Sequence, residues 1–364
     1  MLFRSKNTEV GLGGGTQTTV LVPRYLKPGN YTVRIYKSAT SISNGKPLVI
    51  KDKIAPTIPT VPVTSSWTPP QTVNGWWAQV SPDGQYVSYG NWGESWVTNV
   101  DTKQTWDFSK PAGLPTGGNA RCIAGQWIAT STLTFVCELE DRGVGGFYRY
   151  EVQVGEWIAR KTNDDPNLVL SSWIVAVDGH WTSYLGGRIA QDNKVVASGV
   201  GAAMSVSYDE IVHACDNTNA EICVRNSSGT LLRKYQTRTP NFGTATKNGY
   251  IVYGGYGPVH GITPTGIDTD FTVAPWRQEW IGPGGIIRVG NTSWVGTVSW
   301  DNYTGNGFVF LRPWGDTRVL AIVGDAVGAS VAYRNNEFVI AYFSDVGKMY
   351  LVTVPTNSQR QTLN

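Results

Sequence analysis

A recurrence of short apolar strands constrains the fold of this chain more than any other feature. After Gly75, a turn residue is followed by a run of apolar, β-branched and aromatic residues, and this pattern returns seven times. The starts of the runs lie on average about 42 residues apart. The seven runs are Gln85–Asn91, Gln126–Thr132, His180–Gly186, Asp209–Cys215, Gly249–Gly255, Ser293–Trp300 and Glu337–Ser344.

A period of this length with about four short strands is typical of a β-propeller blade. Each run is preceded by another short strand, and most are followed by a third. A ring of small sheets packed face to face buries both sides of each sheet, which suits nearly continuous apolar runs. A pair of β-sandwiches has no reason to recur seven times, and a parallel β-helix would have a shorter period. The prediction is an all-β, seven-bladed propeller whose last blade lacks one strand, supplied by residues 73–75 or by the C-terminal tail.

The composition agrees with a β fold and excludes other classes. Glycine makes up 42 of 364 residues, tryptophan 15, and charged residues only 16%. A disordered chain has few aromatic residues and a high net charge, whereas the net charge here is +3. No apolar run approaches the ~20 residues of a membrane helix, so no membrane span is expected.

The N-terminal part differs from the rest in charge. Residues 1–60 carry nine basic and two acidic residues, a net charge of +7, while the other 304 residues carry 21 basic and 25 acidic, a net charge of −4. Alternating segments predict strands at Thr18–Val22, Tyr31–Tyr36 and Pro47–Lys51. Five prolines between 56 and 70 predict a stiff connector. We therefore divide the chain into a basic β arm (1–54), a Pro-rich linker (55–74) and the propeller (75–364).

The basic arm is the predicted docking element. Three short strands cannot build a core of their own, so the arm would gain stability by adding to another chain or by lying on an acidic surface. The predicted docking residues are Arg24, Lys27, Arg34 and Lys37. A solvated polar arm is the alternative interpretation.

The turn Ser81-Pro82-Asp83-Gly84 followed by QYVSYG resembles blades of the TolB-like and WD40-like propellers. Over residues 75–364 the resemblance lies in the spacing of the repeated strands rather than in sequence identity. The Gly-His and Trp-Asp signatures of WD40 repeats and the Asp box of sialidases are missing. The resemblance therefore implies an irregular-bladed propeller and no particular activity.

No catalytic arrangement stands out, and we expect no enzyme activity, no cofactor and no metal. The histidines His180, His213 and His260 occupy different phases of the repeat, so packing or surface roles are favoured. No G-x-S-x-G or H-E-x-x-H motif occurs. Four free thiols are the plainer interpretation of the four cysteines, with a Cys215–Cys223 pair across a hairpin as the alternative.

The tryptophans leave a glycan-binding alternative open, because aromatic faces can stack on sugar rings. The candidates are Trp76, Trp77, Trp92, Trp96, Trp276, Trp280 and Trp314. Packing between blades is favoured for most of them. Trp92 and Trp314 fall in predicted loops, where they could contribute to a contact surface.

A propeller preceded by a basic β arm resembles, in architecture, the tail nozzle proteins of short-tailed bacteriophages. That resemblance implies a non-enzymatic structural subunit of a virion tail. The implied partners are further copies in a ring, a portal adaptor and DNA passing through the channel. The first residues lack the apolar stretch of a secretory signal, so synthesis in the host cytoplasm is expected. The alternatives are a receptor- or glycan-binding propeller and a propeller hydrolase or lyase.

Overall fold

The computed structural model describes residues 29–33, residues 46–50 and most of residues 60–363. Gaps within the last range lie at 70–76, 109–111, 114–118, 163–173, 217–220, 238–244, 273–277, 301–306, 323–325 and at shorter stretches. The chain divides into two compact units, Met1–Thr57 and Ile58–Asn364. The described part of the first unit is an antiparallel pair of strands, β1 (Gly29–Val33) and β2 (Lys46–Ile50). The predicted strand at Thr18–Val22 lies outside the described residues.

The second unit contains seven antiparallel sheets, which we number as blades 1 to 7 along the chain. Strand β3 is Ser65–Trp67. Blade 1 contains β4 (Trp77–Val80), β5 (Tyr86–Asn91), β6 (Glu94–Asn99) and β7 (Thr105–Asp107). Blade 2 contains β8 (Asn119–Cys122), β9 (Gln126–Ala129), β10 (Thr132–Asp141), β11 (Val144–Gln153) and β12 (Arg160–Lys161). Blade 3 contains β13 (Ile174–Val177), β14 (His180–Leu185), β15 (Arg188–Gln191) and β16 (Lys194–Ser198).

The remaining blades follow the same meander. Blade 4 contains β17 (Met204–Ser207), β18 (Glu210–Ala214), β19 (Glu221–Asn226) and β20 (Leu231–Gln236). Blade 5 contains β21 (Ala245–Lys247), β22 (Tyr250–Tyr253), β24 (His260–Ile262) and β25 (Asp268–Asp270), with β23 (Gly255–Gly257) joining blade 6. Blade 6 also contains β26 (Gln278–Val289), β27 (Thr292–Trp300), β28 (Gly307–Pro313) and β29 (Leu320–Ile322). Blade 7 contains β30 (Ala326–Arg334), β31 (Glu337–Ser344) and β32 (Met349–Pro355).

The innermost strands of the seven blades contact one another in a closed circle. The order of contact is β4, β9, β13, β17, β21, β26 and β30, and β30 contacts β4 again. This order confirms the predicted all-β, seven-bladed propeller. Among the described residues there is no helix with the length and apolar character needed to span a bilayer.

The ring closes through a strand from the N-terminal side of the propeller. β3 pairs antiparallel with β32 and becomes the outer strand of blade 7, with Ser66 opposite Val352. The linker was one of the two predicted sources of the missing strand. The predicted position at 73–75 was wrong, since the pairing residues come earlier, at Ser65–Trp67. Val352, the partner of Ser66, is fully buried in the apolar layer between blades 6 and 7, whereas Ser65 and Ser66 of β3 are exposed.

Apolar side chains fill the space between successive blades. Val87 and Tyr89 of blade 1 pack with Val339 and Ala341 of blade 7, and all four are fully buried. Burying one side chain of this size contributes about 1.5–3 kcal/mol. The interfaces between blades therefore hold the ring together, as the nearly continuous apolar strands indicate.

Blade 2 departs from the predicted repeat phase. The run Gln126–Thr132 was predicted to be the second strand of its blade, like the other six runs. Instead β9 lies on the inner side with β8, and both strands pair with β10. Strand β10 is 10 residues long, so β9 pairs with its first part, residues 132–134, and β8 pairs with its last part, residues 137–140.

The prediction of four free thiols is wrong in this structure. Cys122 and Cys137 are disulfide-bonded, and so are Cys215 and Cys223. Cys122 lies directly opposite Cys137 in the β8–β10 pair, with Cα atoms 4.0 Å apart. The two cysteines meet because β8 pairs with β10. Their separation of 15 residues in the sequence did not indicate this pairing. The second bridge spans the β18–β19 connection, as the alternative interpretation had it.

Candidate interaction surface

The outer strands of the seven blades form the circumference of the propeller, and they differ in how far they are covered. In blade 6 the outer strand β29 is covered by other parts of the same chain, and in blade 7 the linker itself supplies the outer strand β3. In blades 3 to 5 the outer strands carry exposed apolar side chains. This contrast defines the candidate interaction surface.

The linker covers the outer edge of blade 6 before it supplies β3. The Val61 amide donates to the Ala321 carbonyl of β29 at 2.9 Å, and the Val61 side chain is buried. As a result Leu320, Ala321 and Ile322 of this outer strand are all fully buried. Outer strands of the propeller can therefore accept an extended segment along their edge.

The C-terminal tail covers the same blade. Gln361 and Val319 exchange two backbone hydrogen bonds of 2.9 Å. The Arg360 guanidinium donates to Asp316 Oδ2 at 2.7 Å. Hydrogen bonds from Arg318, assisted by the charge of Arg360, lower the pKa of Asp316 to about 2.

The outer strands of blades 3 to 5 carry large apolar side chains that face solvent. The exposed fractions are 36% for Val195, 43% for Leu231, 47% for Leu232 and 63% for Ile267. We call these four residues the apolar band. Val195 lies in β16, the two leucines begin β20, and Ile267 immediately precedes β25. Ile158, which lies just before the outer strand of blade 2, is also exposed, at 48%.

The predicted docking residues Arg24, Lys27, Arg34 and Lys37 all lie outside the described residues. Their role therefore stays a prediction. The structure describes, within the arm, the paired strands β1 and β2, whose sequences GNYTV and KPLVI contain one charged residue, Lys46.

The three histidines lie in three different blades. His213 is fully buried, and its Nε2 accepts a hydrogen bond from Arg225 Nε at 3.1 Å while its Nδ1 lies 2.7 Å from the Ala214 carbonyl oxygen. Burial lowers the pKa of His213, so the ring is neutral at pH 7. This arrangement matches the predicted packing role. His180 begins β14, and its side chain lies outside the description.

His260 takes part in a polar cluster that sequence reasoning missed. Its Nδ1 lies 3.5 Å from Asp268 Oδ1, its ring stacks on Tyr253, and the Tyr253 hydroxyl donates to Asp268 Oδ2 at 3.0 Å. The three residues come from adjacent strands of blade 5. Polar residues on both sides of the turn Thr263–Gly266 were the available signal. The buried setting of the His260 ring favours a role in packing blade 5 over one in substrate binding.

A second missed group is a buried cation between blades 2 and 3. The Arg149 guanidinium lies 4.7 Å from the ring centroid of Trp181 and donates to Glu151 at 2.5 Å. Burial lowers the pKa of Arg149, while Glu151 raises it. The arginine joins blade 2 to blade 3 through its position over the Trp181 ring.

Two of the candidate tryptophans, Trp96 and Trp314, pack against other aromatic rings. Trp314, which was a candidate for a contact surface, lies 4.6 Å from both Tyr250 and Phe271, measured between ring centroids. Trp96 stacks on Tyr89 at 6.0 Å. Trp76, Trp92 and Trp276 lie outside the described residues.

Within the residues that the structure describes, no group of three or more His, Cys, Asp or Glu side chains could hold a metal ion. The expectations of no catalytic residues, no cofactor and no metal stay predictions.

No protein-family model and no curated protein sequence matches this chain. Solved structures do resemble it. A chain in the crystal structure of the mitotic checkpoint complex aligns with 85% of this chain and 99% of its own length, at a TM-score of 0.53 and 11% identity. Hsv2 of Kluyveromyces lactis aligns with 79% of this chain and 98% of its own, at a TM-score of 0.45 and 8% identity. BamB of Moraxella catarrhalis aligns with 81% and 100%, at a TM-score of 0.33 and 10% identity. At these identities the likeness is one of fold alone.

Proposed function

We propose that this chain is a non-enzymatic structural subunit of a virion tail, of the kind that forms a ring around the DNA channel and docks on a portal adaptor. The observation that supports this proposal most is the origin of the closing strand. The propeller takes β3 from residues 65–67 and its edge cover from Val61. Residues 1–57 are thus not needed to complete the ring of blades.

The first unit has the properties of an assembly element. Residues 1–60 carry a net charge of +7, whereas the rest of the chain carries −4. Two short strands cannot sustain a hydrophobic core of their own, so β1 and β2 gain stability by adding to a larger surface. A charge difference of this kind also steers copies of the chain toward one another.

Deletion of residues 1–54 tests this proposal. The truncated chain retains β3 and Val61, so it should unfold cooperatively at a temperature close to that of the full chain. It should no longer form a homo-oligomer in analytical ultracentrifugation, and it should not enter particles assembled from the source virus. Charge reversal of Arg24, Lys27, Arg34 and Lys37 in the full chain should weaken assembly in the same direction.

Normal incorporation of the truncated chain into particles would contradict the proposal. Electron microscopy of native particles gives the second readout, since a ring of copies on the tail is expected. Release of a folded, monomeric full-length chain that never associates would also overturn the assembly role.

A further inference from the structure

The two disulfide bonds lie in different surroundings. Cys122 and Cys137 are both fully buried, and they belong to the apolar layer between blades 1 and 2 with Val97 and Trp127. A charged thiolate is strongly disfavoured in such a layer, so a thiol reductant reaches this bond only when the two blades separate. The Cys122–Cys137 bond should therefore resist small thiols for as long as the propeller stays folded.

The Cys215–Cys223 bond lies near the surface of blade 4. Cys215 immediately follows β18, is partly exposed and is next to the exposed Asp216, whereas Cys223 of β19 is only 3% exposed. A thiolate that opens a disulfide attacks one sulfur and displaces the other. The more accessible end of this bond is Cys215, so Cys215 receives the incoming thiolate and Cys223 is the leaving group.

The surroundings of Cys223 favour a leaving thiolate. In the sheet Cys223 lies directly opposite the neutral His213 of β18 and opposite Lys234 of β20, so the three share one face of blade 4. Arg225 lies on the same face, since its Nε donates to His213. Glu221, also on this face, pairs with Lys234 at 2.6 Å and offsets part of the positive charge. Nearby cations stabilise a thiolate, and a stabilised thiolate leaves faster.

Opening this bond does not require the blade to unfold. Strands β18 and β19 pair along the whole length of β18, from Glu210 to Ala214. The Cys215 amide also donates to the Glu221 carbonyl oxygen at 2.9 Å. These backbone hydrogen bonds do not depend on the sulfur atoms, so the folded protein can undergo exchange at this position.

We infer that the Cys215–Cys223 bond is a thiol–disulfide exchange site, which small-molecule thiols open reversibly while the Cys122–Cys137 bond stays closed. The first thiolate bonds to Cys215 Sγ, and the electron pair of the broken S–S bond leaves on Cys223 Sγ, which takes a proton from solvent. A second thiolate then attacks the outer sulfur of the mixed disulfide, and Cys215 leaves as a thiolate and is protonated. In balance, two small thiols are oxidised to one disulfide and the protein bond is reduced to two thiols.

Timed alkylation of the native full-length chain in excess reduced glutathione tests the inference. Peptide mass spectrometry follows each cysteine. Cys215 and Cys223 should become reduced about 100-fold faster than Cys122 and Cys137, because only the first bond is accessible in the folded state. The first product should carry glutathione on Cys215 and an alkyl group on Cys223, and oxidised glutathione should restore the bond. The selectively opened protein should still melt cooperatively.

Equal rates for the two bonds, or a rate for Cys215–Cys223 no faster than global unfolding, would overturn the exchange site. Alkylation of all four cysteines before any reductant is added would do the same.

A lysine variant tests the direction of attack. Lys234→Gln should slow opening of the bond about threefold, since it removes the cation opposite the leaving sulfur. Lys348→Gln, at an exposed lysine of blade 7, is the matched control and should react at the wild-type rate. Circular dichroism should show both variants folded, because both side chains reach solvent. A first adduct on Cys223, or an unchanged rate for Lys234→Gln, would contradict the assigned leaving group.

Discussion

Arg334 of blade 7 binds Asp101 of blade 1 through two parallel hydrogen bonds, Nη1 to Oδ2 at 2.9 Å and Nη2 to Oδ1 at 2.5 Å. The pair joins the last blade to the first at the rim of the ring. The arginine stem packs over Gly84, where an added β-carbon would lie 3.0 Å from Arg334 Cδ and where φ is +71°. Hydrogen bonding from Arg334 lowers the pKa of Asp101.

The Arg334–Asp101 pair should contribute little to stability, because the Asp101 side chain is 67% exposed. We expect Asp101→Asn to lower the free energy of unfolding by about 1 kcal/mol or less. Arg334→Ala should cost more, since it also removes the stem from the junction. Chemical denaturation measures both, and Glu156→Gln, in the exposed Arg160–Glu156 pair within blade 2, is the matched control. If Asp101→Asn lowered the free energy of unfolding as much as truncation of a core side chain does, the Arg334–Asp101 pair would be a main contributor to ring closure.

Strand β3 should contribute much more to the stability of the closed ring than the Arg334–Asp101 pair does. A chain that begins at residue 69 lacks both β3 and Val61, whereas one that begins at residue 55 keeps them. We expect the free energy of unfolding of the shorter chain to be lower by about 3 kcal/mol or more. The reason is that Val61 and Trp67 are removed and the apolar surfaces that they cover become exposed. Equal melting temperatures for the two truncations would contradict this account of closure.

Reduction of the disulfides should destabilise the propeller. Loops of 15 and 8 residues predict losses of about 3 and about 2.5 kcal/mol on the chain-entropy model. Denaturation of Cys122→Ser/Cys137→Ser and of Cys215→Ser/Cys223→Ser measures the two separately. Intact mass before and after alkylation checks the bridges directly, and four alkylated cysteines in the native, unreduced protein would show that they are absent.

The interactions of Asp316 with Arg318 and Arg360 should weaken in acid. The folded pKa of Asp316, about 2, lies below the unfolded value of about 3.9, so its carboxylate stabilises the fold above pH 4. That contribution should be lost as the pH falls from about 4 to about 2. Asp316→Asn should therefore melt a few degrees lower than the wild type at pH 7, with the difference vanishing near pH 2. Asp270→Asn, on an exposed residue of blade 5, is the control, and a difference that does not change with pH would contradict the assignment.

Local pattern was sufficient for the repeating part of the fold. Six of the seven apolar runs form the second strand of a blade, because alternating turn residues and β-branched residues report local strand formation. The phase of blade 2 was predicted wrongly because β8 and β9 both pair with the long strand β10, and local sequence does not show that pairing. The Cys122–Cys137 bridge was missed for the same reason.

The candidate surface could be predicted only in part. The charge of the arm is a property of composition, and it is visible in the sequence. The band is not, because Leu231 and Leu232 look like any buried strand residues until the structure places β20 at the outer edge of blade 4. The His260–Asp268 pair likewise depends on the register of β24 against β25.

The sequence by itself determined the fold class, the number of blades and the separate basic arm, since these follow from periodicity, turn residues and charge. The tertiary structure decided which strand closes the ring, which cysteines meet and which outer strands stay uncovered. These features depend on contacts between residues as far apart as Ser65 and Thr353. Such contacts form only when the two ends of the propeller come together in the folded ring. Local sequence patterns do not show which distant residues will meet.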